Sequence, residues 1–512
     1  KIFQQDGFSP LYDEGWNFET IRKENLFLQK VGNCEMDESL RERFKAEVRA
    51  MRAWTYLGMT MTFGKVPLIT EVLDYNSPNI PRDEVSVIRD FIMKELTEAA
   101  AILPEKYAGG YPNEKGRITK YACLSLKARA ALYFGDYALA ESTAKEVMDK
   151  GGFSLFKISS LSDAQKKEAE EMSLYIDFAE KGIDKDEFVK GMFNYEALWH
   201  TENANPDNPE YIMTRQYAAS SWDYQDMTRY TSMRPNQLGG WSSVTPTQNL
   251  VDAYWGVDGH SVPQLPTPEE RAKAYNQIKA DLDAYQKPEG EAKFIAFCQE
   301  KIKNGTLKDY KYIQEFRNRD SRMYVSILMP FKSWYESNYG DKFVYEWIKN
   351  GNNESKTGFN FRKMLSLEND ANGDGQATGD YPCIRYAEIL LIYAEAHTQT
   401  TGYDAATEAA LNQLRDRCGM PDVPSGLSKE EGLKLIQNER RIELAGEGFR
   451  GDDMTRYSDD YWKEHMNNVP IMTPDGDTEL TMKWSSRMRL KPIPQTAIDL
   501  NPLLAGDQNP GY

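Results

Sequence analysis

Basic charge is in short supply in this chain of 512 residues: 62 Lys and Arg stand against 79 Asp and Glu, a net charge of −17. A nucleic-acid or anionic-membrane partner wants a basic patch, and the charge balance argues against one. Long apolar runs are missing as well, since no stretch approaches the about 20 residues that span a bilayer. Lys1 to Pro10 lack the apolar centre of a signal peptide, so the sequence reads as cytoplasmic or as a processed, trimmed form. Cysteine is sparse: Cys34, Cys123, Cys298, Cys383 and Cys418 are odd in number, far apart and free of any Cys-x-x-Cys pair. That excludes a disulfide framework and a zinc site, and leaves small buried thiols as the reading. Cys34 follows Val31-Gly32-Asn33, which lacks the small residue expected before a lipid-acceptor cysteine.

Catalytic motifs are absent too. There is no Gly-x-Ser-x-Gly elbow, no His-Glu-x-x-His pair and no phosphate-cradling Gly-rich loop. The four histidines, His200, His260, His397 and His465, show no metal-ligand spacing, and His397 reads as a packing or polar-face residue. Counting never excludes a glycosidase pair of carboxylates in so acidic a chain, but no motif points to one. The expectation is a protein that does no chemistry. One segment carries a metal signal. Asp370, Asn372 and Asp374, followed by Gly375, place oxygen ligands as the start of a calcium loop does, although Tyr381 stands where the closing bidentate Glu belongs. A plain Asx/Gly turn explains the same run without an ion. Calcium is therefore a possible structural ion, and no cofactor is required.

What is present is helical texture. The composition, 40% hydrophobic and 28% charged, is that of a globular chain. Phe44, Val48, Met51, Tyr56 or Leu57 and Met61 follow a helical period that Gly64-Lys65-Val66-Pro67 stops. Ile88, Ile92, Leu96 and Ala99 repeat it before Pro104. Thr119 to Phe134, the turn Gly135-Asp136-Tyr137 and Ala138 to Asp149 then form a helix–turn–helix, with small Ala130, Ala140 and Ala144 for close approach. This unit resembles a tetratricopeptide repeat, and a second copy runs through Ile384 to Thr398, Gly402-Tyr403-Asp404 and Ala405 to Arg417. Between the copies, residues 192–262 are rich in Trp, Tyr, Asn, Gly and Pro and hold four of the ten tryptophans. Loops this long are usually functional. Thr267 to Tyr285 and Ala292 to Lys303 read as helices, and residues 304–383 as loops, short strands and turns.

The last third carries a family resemblance. Arg385-Tyr386-Ala387-Glu388-Ile389-Leu390-Leu391-Ile392-Tyr393-Ala394-Glu395-Ala396 closely resembles a segment of the SusD/RagB family of outer-membrane nutrient-binding lipoproteins. Asn438-Glu439-Arg440-Arg441-Ile442-Glu443-Leu444 with Gly448-Phe449-Arg450 and Asp453, then Pro492-Ile493-Pro494-Gln495 and Gln508-Asn509-Pro510-Gly511-Tyr512, agree in family order. So do Phe63-Gly64-Lys65-Val66-Pro67-Leu68-Ile69 and Pro246-Thr247-Gln248-Asn249-Leu250-Val251-Asp252-Ala253-Tyr254. The resemblance implies a mostly α fold: one SusD-like domain over 1–512, with a tetratricopeptide-like helical scaffold and a large irregular insert of loops and short strands. Its parts are an N-terminal helical-repeat part at 18–150, a ligand-binding insert at 192–383, a C-terminal helical-repeat part at 384–456 and a closing segment at 457–512. The acids and arginines of Glu439 to Leu444, with Arg450, Asp453, Arg385 and Glu388, are expected to pair internally and lock the scaffold.

The resemblance also implies a role: non-catalytic capture of oligosaccharide or polysaccharide at the cell surface and its delivery to a SusC-like TonB-dependent outer-membrane barrel. An N-terminal lipid anchor, missing from this sequence, would hold the protein at the outer membrane. Peptide capture of the RagB type is the alternative, and an all-α glycoside hydrolase a more distant one. Sugar rings stack on aromatics while Asn, Asp and Gln pair their hydroxyls. Trp222, Asp223 and Tyr224, after Ser220-Ser221, and Trp241, beside Gly239-Gly240, supply both ingredients and are the leading candidates. Trp199 with Asn203, and Trp334 with Tyr335, are possible rim contacts. Trp54 and Trp255 read as core.

Overall fold

The computed structural model describes residues 5–12, 14–107, 114–217, 233–336, 342–365, 367 and 379–512, and it is mostly helical. Five helices open the chain: α1 (Phe18–Lys30), α2 (Glu38–Phe63), α3 (Val85–Ile102), α4 (Lys120–Tyr133) and α5 (Tyr137–Lys150). Each packs on the next. Asp37 caps α2 by accepting a bond from the Leu40 amide, and Gly64 ends it at φ 71°.

The α4–α5 unit shows why two helices of this sequence fold back on each other. Ala130, Ala140 and Ala144 are fully buried, so the two backbones meet without bulky side chains between them. Asp136 caps α5 at the Leu139 amide. The helices Tyr386–Thr400 and Ala405–Arg417 repeat the design, with Asp404 accepting from the Ala406 and Thr407 amides. The helix Tyr386–Thr400 packs directly on α5, so residues 151–385 leave the scaffold and return to it as one long excursion. His397 sits in that seam. One ring nitrogen is 2.8 Å from Glu141 of α5, the other 3.1 Å from Asp404, and the ring stacks on Tyr393.

The excursion opens with helices, and the one ending at Ala197 runs into the irregular stretch read from residue 192. A Ser162/Gln165 capping box opens the helix Asp163–Glu171, and Asp184 caps Lys185–Ala197. Gly191 presses on the scaffold so closely that a Cβ there would lie 2.1 Å from the Gly419 amide nitrogen. The helices Pro268–Ala284 and Lys293–Lys303 fall where the periodicity places them. Short antiparallel pairs follow, Ile327–Leu328 with Asn360–Phe361 and Ser333–Trp334 with Phe343–Val344. The strand Tyr381–Arg385 closes the excursion against Tyr211–Arg215, pairing Tyr211 with Arg385 and Arg215 with Tyr381.

The closing segment adds the helix Asp459–Met466 and the hairpin Pro470–Met472/Thr478–Thr481 around a small second core of Met454, Trp462, Ile471 and Leu480. Asn509 then reaches back to the start of the fold. Its amide donates to the Phe63 carbonyl at 2.9 Å, and Arg82 donates to its side-chain oxygen at 2.9 Å. Cys123, Cys298 and Cys418 are buried, and burial pushes Cys123 up to about 12 and Cys418 to about 11. Cys383 is half-buried. Cys34 departs from the expected burial and is exposed, because it follows a short surface turn after α1. Among the described residues no helix is long and apolar enough to cross a membrane.

Charges fill the joint between excursion and scaffold. Glu443 accepts from Arg322 at 3.0 Å, from Arg385 at 2.8 Å and from Arg417. Glu210 accepts from Arg385 and Arg417, and Glu439 from Arg322 and Arg415. Asp320 pairs with Arg322, and Glu447 with Arg385 and Lys363. Five cations thus meet five carboxylates, all buried. Burial alone would raise Glu443, but Arg417, Arg385, Arg322 and Lys363 hold it well below the usual carboxylate range. A neighbouring set balances Arg129, Arg440 and Arg456 against Glu388, Asp453 and Glu395. The internal pairing expected for Glu439, Glu443, Arg385, Glu388 and Asp453 is therefore present. Arg441 and Arg450 depart from the expected pairing: Arg441 donates to the Asn249 carbonyl and Arg450 to the Tyr461 hydroxyl instead.

Two outcomes follow. Glu443→Gln strands buried guanidinium charge and is expected to cost about 3–5 kcal/mol in urea unfolding, whereas Lys434→Gln, in an exposed pair with Glu430, changes stability by less than about 0.5 kcal/mol. The seam should also respond to pH. Burial works against a charged His397, but Glu141 and Asp404 prevail and raise it above its ordinary value. Glu141 is lowered, burial being overcome by Thr400 and His397, and Asp404 is lowered chiefly by His397. The histidine contribution is complete below about pH 6.5 and is lost as pH rises through the raised value, while the carboxylate contributions are lost as pH falls into their range. The thermal midpoint should therefore fall from pH 6 toward pH 9, and His397→Gln should remove that part of the fall.

Candidate functional site

A polar cavity of about 320 Å³ lies where the start of the helix Asp163–Glu171, with the segment before it, meets the end of the helix Lys185–Ala197 and the turn after it. Ser162, Gln165, His200, Glu202, Asn203 and Tyr335 are among its lining residues, with Glu196 and Glu336. Its floor is held by charge. Arg362 donates to Glu168 at 2.6 and 2.9 Å and to Glu196 at 2.6 Å, and Lys332 also pairs with Glu168. These side chains are all buried, so the floor is fixed before any ligand arrives. The Tyr335 hydroxyl donates to Glu171 at 2.5 Å, which sets the ring at the cavity wall.

His200 is the charged centre. Its Nδ1 lies 3.6 Å from Glu202, and its buried Nε2 has no hydrogen-bond partner among the described residues. Burial would lower the imidazole, but Glu202, Glu196 and Glu336 outweigh it and raise it to about 9. The carboxyl of Glu202 is held low by the same partner. At neutral pH the cavity therefore offers a cationic N–H donor beside carboxylate, amide and hydroxyl groups. That mixture suits a ligand rich in hydroxyls, which both donate and accept.

The sequence candidates divide into three groups. Asn203 lines the cavity, although its side-chain amide is engaged with the Ala197 carbonyl at 2.8 Å. Trp199 and Trp334 require correction, because both are core. Trp199 is 7% exposed and carries Lys363 and Arg385 against its ring at 5.1 and 5.6 Å. Trp334 is 1% exposed, with Arg362 at 5.0 Å from its ring centre. Their faces are occupied by internal cations, so no sugar can stack there. Trp241 is 47% exposed, between Gly240 and Ser242, but does not line the cavity. Trp222, Asp223 and Tyr224 lie outside the described residues, as do Asp370, Asn372 and Asp374 of the calcium candidate. The described residues contain no cluster of three or more acidic, His or Cys side chains able to hold a metal ion. Tyr217, just before 218–232, donates its amide to Asp380, whose own amide donates to the Ala204 carbonyl.

His200 escaped the sequence reading because Glu336 approaches from a remote segment, while the local signals, Glu196 four residues before and Glu202 two residues on, match no functional motif.

The structure is thus a paired-helix scaffold with a long insert that forms a pre-set polar cavity. The chain belongs to the SusD family, whose family model matches residues 209–512, more than half of it. It is 22% identical over 454 residues to SusD-like protein P38 of Formosa agariphila, covering 86% of this chain and 70% of that one. A SusD-like protein of Bacteroides fragilis superposes with a TM-score of 0.74 at 25% identity, covering 100% of this chain and 89% of its own. A laminarin-binding SusD-like protein shares the fold at TM-score 0.57 and 21% identity, over 99% of this chain and 87% of that one.

The cavity charge can be tested by NMR titration of the imidazole. His200 is expected to titrate near 9, and Glu202→Gln to bring it down by at least about one unit. A value at or below about 6.5 would remove the cationic donor from the site.

Proposed function

We propose that this protein captures oligosaccharide or polysaccharide at the cell surface without altering it, and passes it to a SusC-like TonB-dependent outer-membrane barrel. The observation that carries the reading is the rigid polar cavity around His200, walled by Tyr335 and lined by groups that pair hydroxyls. The laminarin-binding relative of the same fold supports a glycan as the ligand class. Family membership supports the barrel partner, the outer-membrane location and an N-terminal lipid anchor. Trp241 and the segment of Trp222, Asp223 and Tyr224 are retained as added stacking platforms. Calcium at Asp370, Asn372 and Asp374 would be structural.

Native affinity gels and calorimetry with a panel of polysaccharides, laminarin included, test the reading. One glycan class should bind, and Tyr335→Ala, Trp222→Ala or Trp241→Ala should weaken it about tenfold where the ring stacks on sugar, with the unfolding midpoint unchanged. Binding of a peptide mixture with no glycan bound would instead favour the RagB-type role.

A further inference from the structure

A second cavity, of about 440 Å³, shares no lining residue with the first. The last turn of the helix Lys429–Glu443 enters it, and Gly446 and Gly448, both at positive φ, turn the chain around it into the helix Phe449–Arg456. Its walls are mostly apolar, with Met233, Leu250, Phe361, Leu444, Met454 and Met482 among them. Its ionisable lining is Arg440, Arg441, Arg450, Asp453 and His465.

The charges there do not balance. Arg440 is 3% exposed and gives its Nε to both Asp453 oxygens at 2.8 Å. Its Nη1 is buried with no hydrogen-bond partner among the described residues. Arg441 donates to the Asn249 carbonyl at 3.0 Å and makes no ion pair with any described carboxylate. Arg450 donates to the Tyr461 hydroxyl at 2.7 Å and lies over that ring at 5.1 Å. His465 stacks on the same ring at 4.0 Å, and its Nδ1 donates to the Tyr461 carbonyl. Burial, then the nearby Arg441 and Arg450, push His465 down to about 4, so it is neutral. Burial and Arg450 likewise pull Arg441 down to about 10. Asp453 is already shared with Arg456. Among the described residues, three guanidiniums therefore face one carboxylate, which Arg440 and Arg456 already share. An anion would satisfy both Arg441 and the free Nη1 of Arg440.

We propose that this cavity binds a small amphipathic organic anion, its carboxylate against Arg441 and the free Nη1 of Arg440 and its apolar body among Leu250, Phe361 and the methionines. The site does not depend on the glycan reading, since it lies on other residues. Planar guanidinium forks match a carboxylate, and flexible methionines accommodate an apolar body of loosely defined shape.

Calorimetry and thermal-shift measurements with decanoate, below the concentration at which it forms micelles, test the proposal on the whole chain. One equivalent should bind and raise the unfolding midpoint in a concentration-dependent way. Decan-1-ol, which lacks the charge, and acetate, which lacks the apolar body, should bind at least tenfold more weakly. Arg441→Met should weaken decanoate at least tenfold, and Leu250→Trp, which adds bulk to the apolar wall and replaces no arginine, should abolish it. Equal binding of decan-1-ol, no binding of decanoate to the wild type, or wild-type affinity in both folded variants would overturn the proposal. A glycan assay run alongside separates the two sites: decanoate should leave glycan affinity unchanged.

Discussion

Glu443 holds the structure to one solution. It is a single carboxylate with no exposure, taking hydrogen bonds from Arg322 of the insert, Arg385 of the returning strand and Arg417 of the second repeat unit. An apolar core tolerates small slips of one element past another, because dispersion has no direction. A guanidinium–carboxylate lattice does not, since a displaced arm leaves a charge in low dielectric. The joint between a regular scaffold and an irregular insert is where such strictness matters, because loops supply no repeating register of their own. The close approach of Gly191 to the backbone at Gly419 works in the same direction, as it leaves no space for a shifted fit.

The cavity around His200 inherits this rigidity. Arg362, which positions Glu168 and Glu196 beneath it, follows the strand pair Ile327–Leu328/Asn360–Phe361 and lies one residue before Lys363 of the large network. Ligand groups thus meet donors and acceptors already aimed, and little ordering entropy remains to be lost on binding. The cost falls on folding, where several charges must be dehydrated together.

Much of the scaffold was legible from the sequence because helical information is local. The apolar period, Gly64, the Gly-x-Asp turns and the small alanines act within one or two turns of their own position. The pairing of Glu439 and Glu443 was legible in kind, since their four-residue spacing puts both on one helix face, but their shared partner Arg322 stands in a remote segment with no periodic signal. The aromatics misled for a related reason. Trp334 follows Lys332 and Ser333, neighbours that suggest solvent, yet both are buried here, and the lysine serves Glu168. When charges are internalised, a polar neighbour no longer marks a surface. Tyr335, the residue just after that strand, reaches the cavity instead.

The strap at Asn509 bears on how the chain is made. Its amide meets the carbonyl of Phe63, the last residue of α2, and Arg82 seals the contact through Asp507 and Asn509. A ribosome delivers the two ends of that contact more than 400 residues apart, and the α5 seam likewise waits for the helix Tyr386–Thr400. For most of its synthesis the nascent chain carries repeat helices whose apolar faces have no partner. The natural handling of such an intermediate is delay: shielding the faces until the far end is available favours native docking over aggregation.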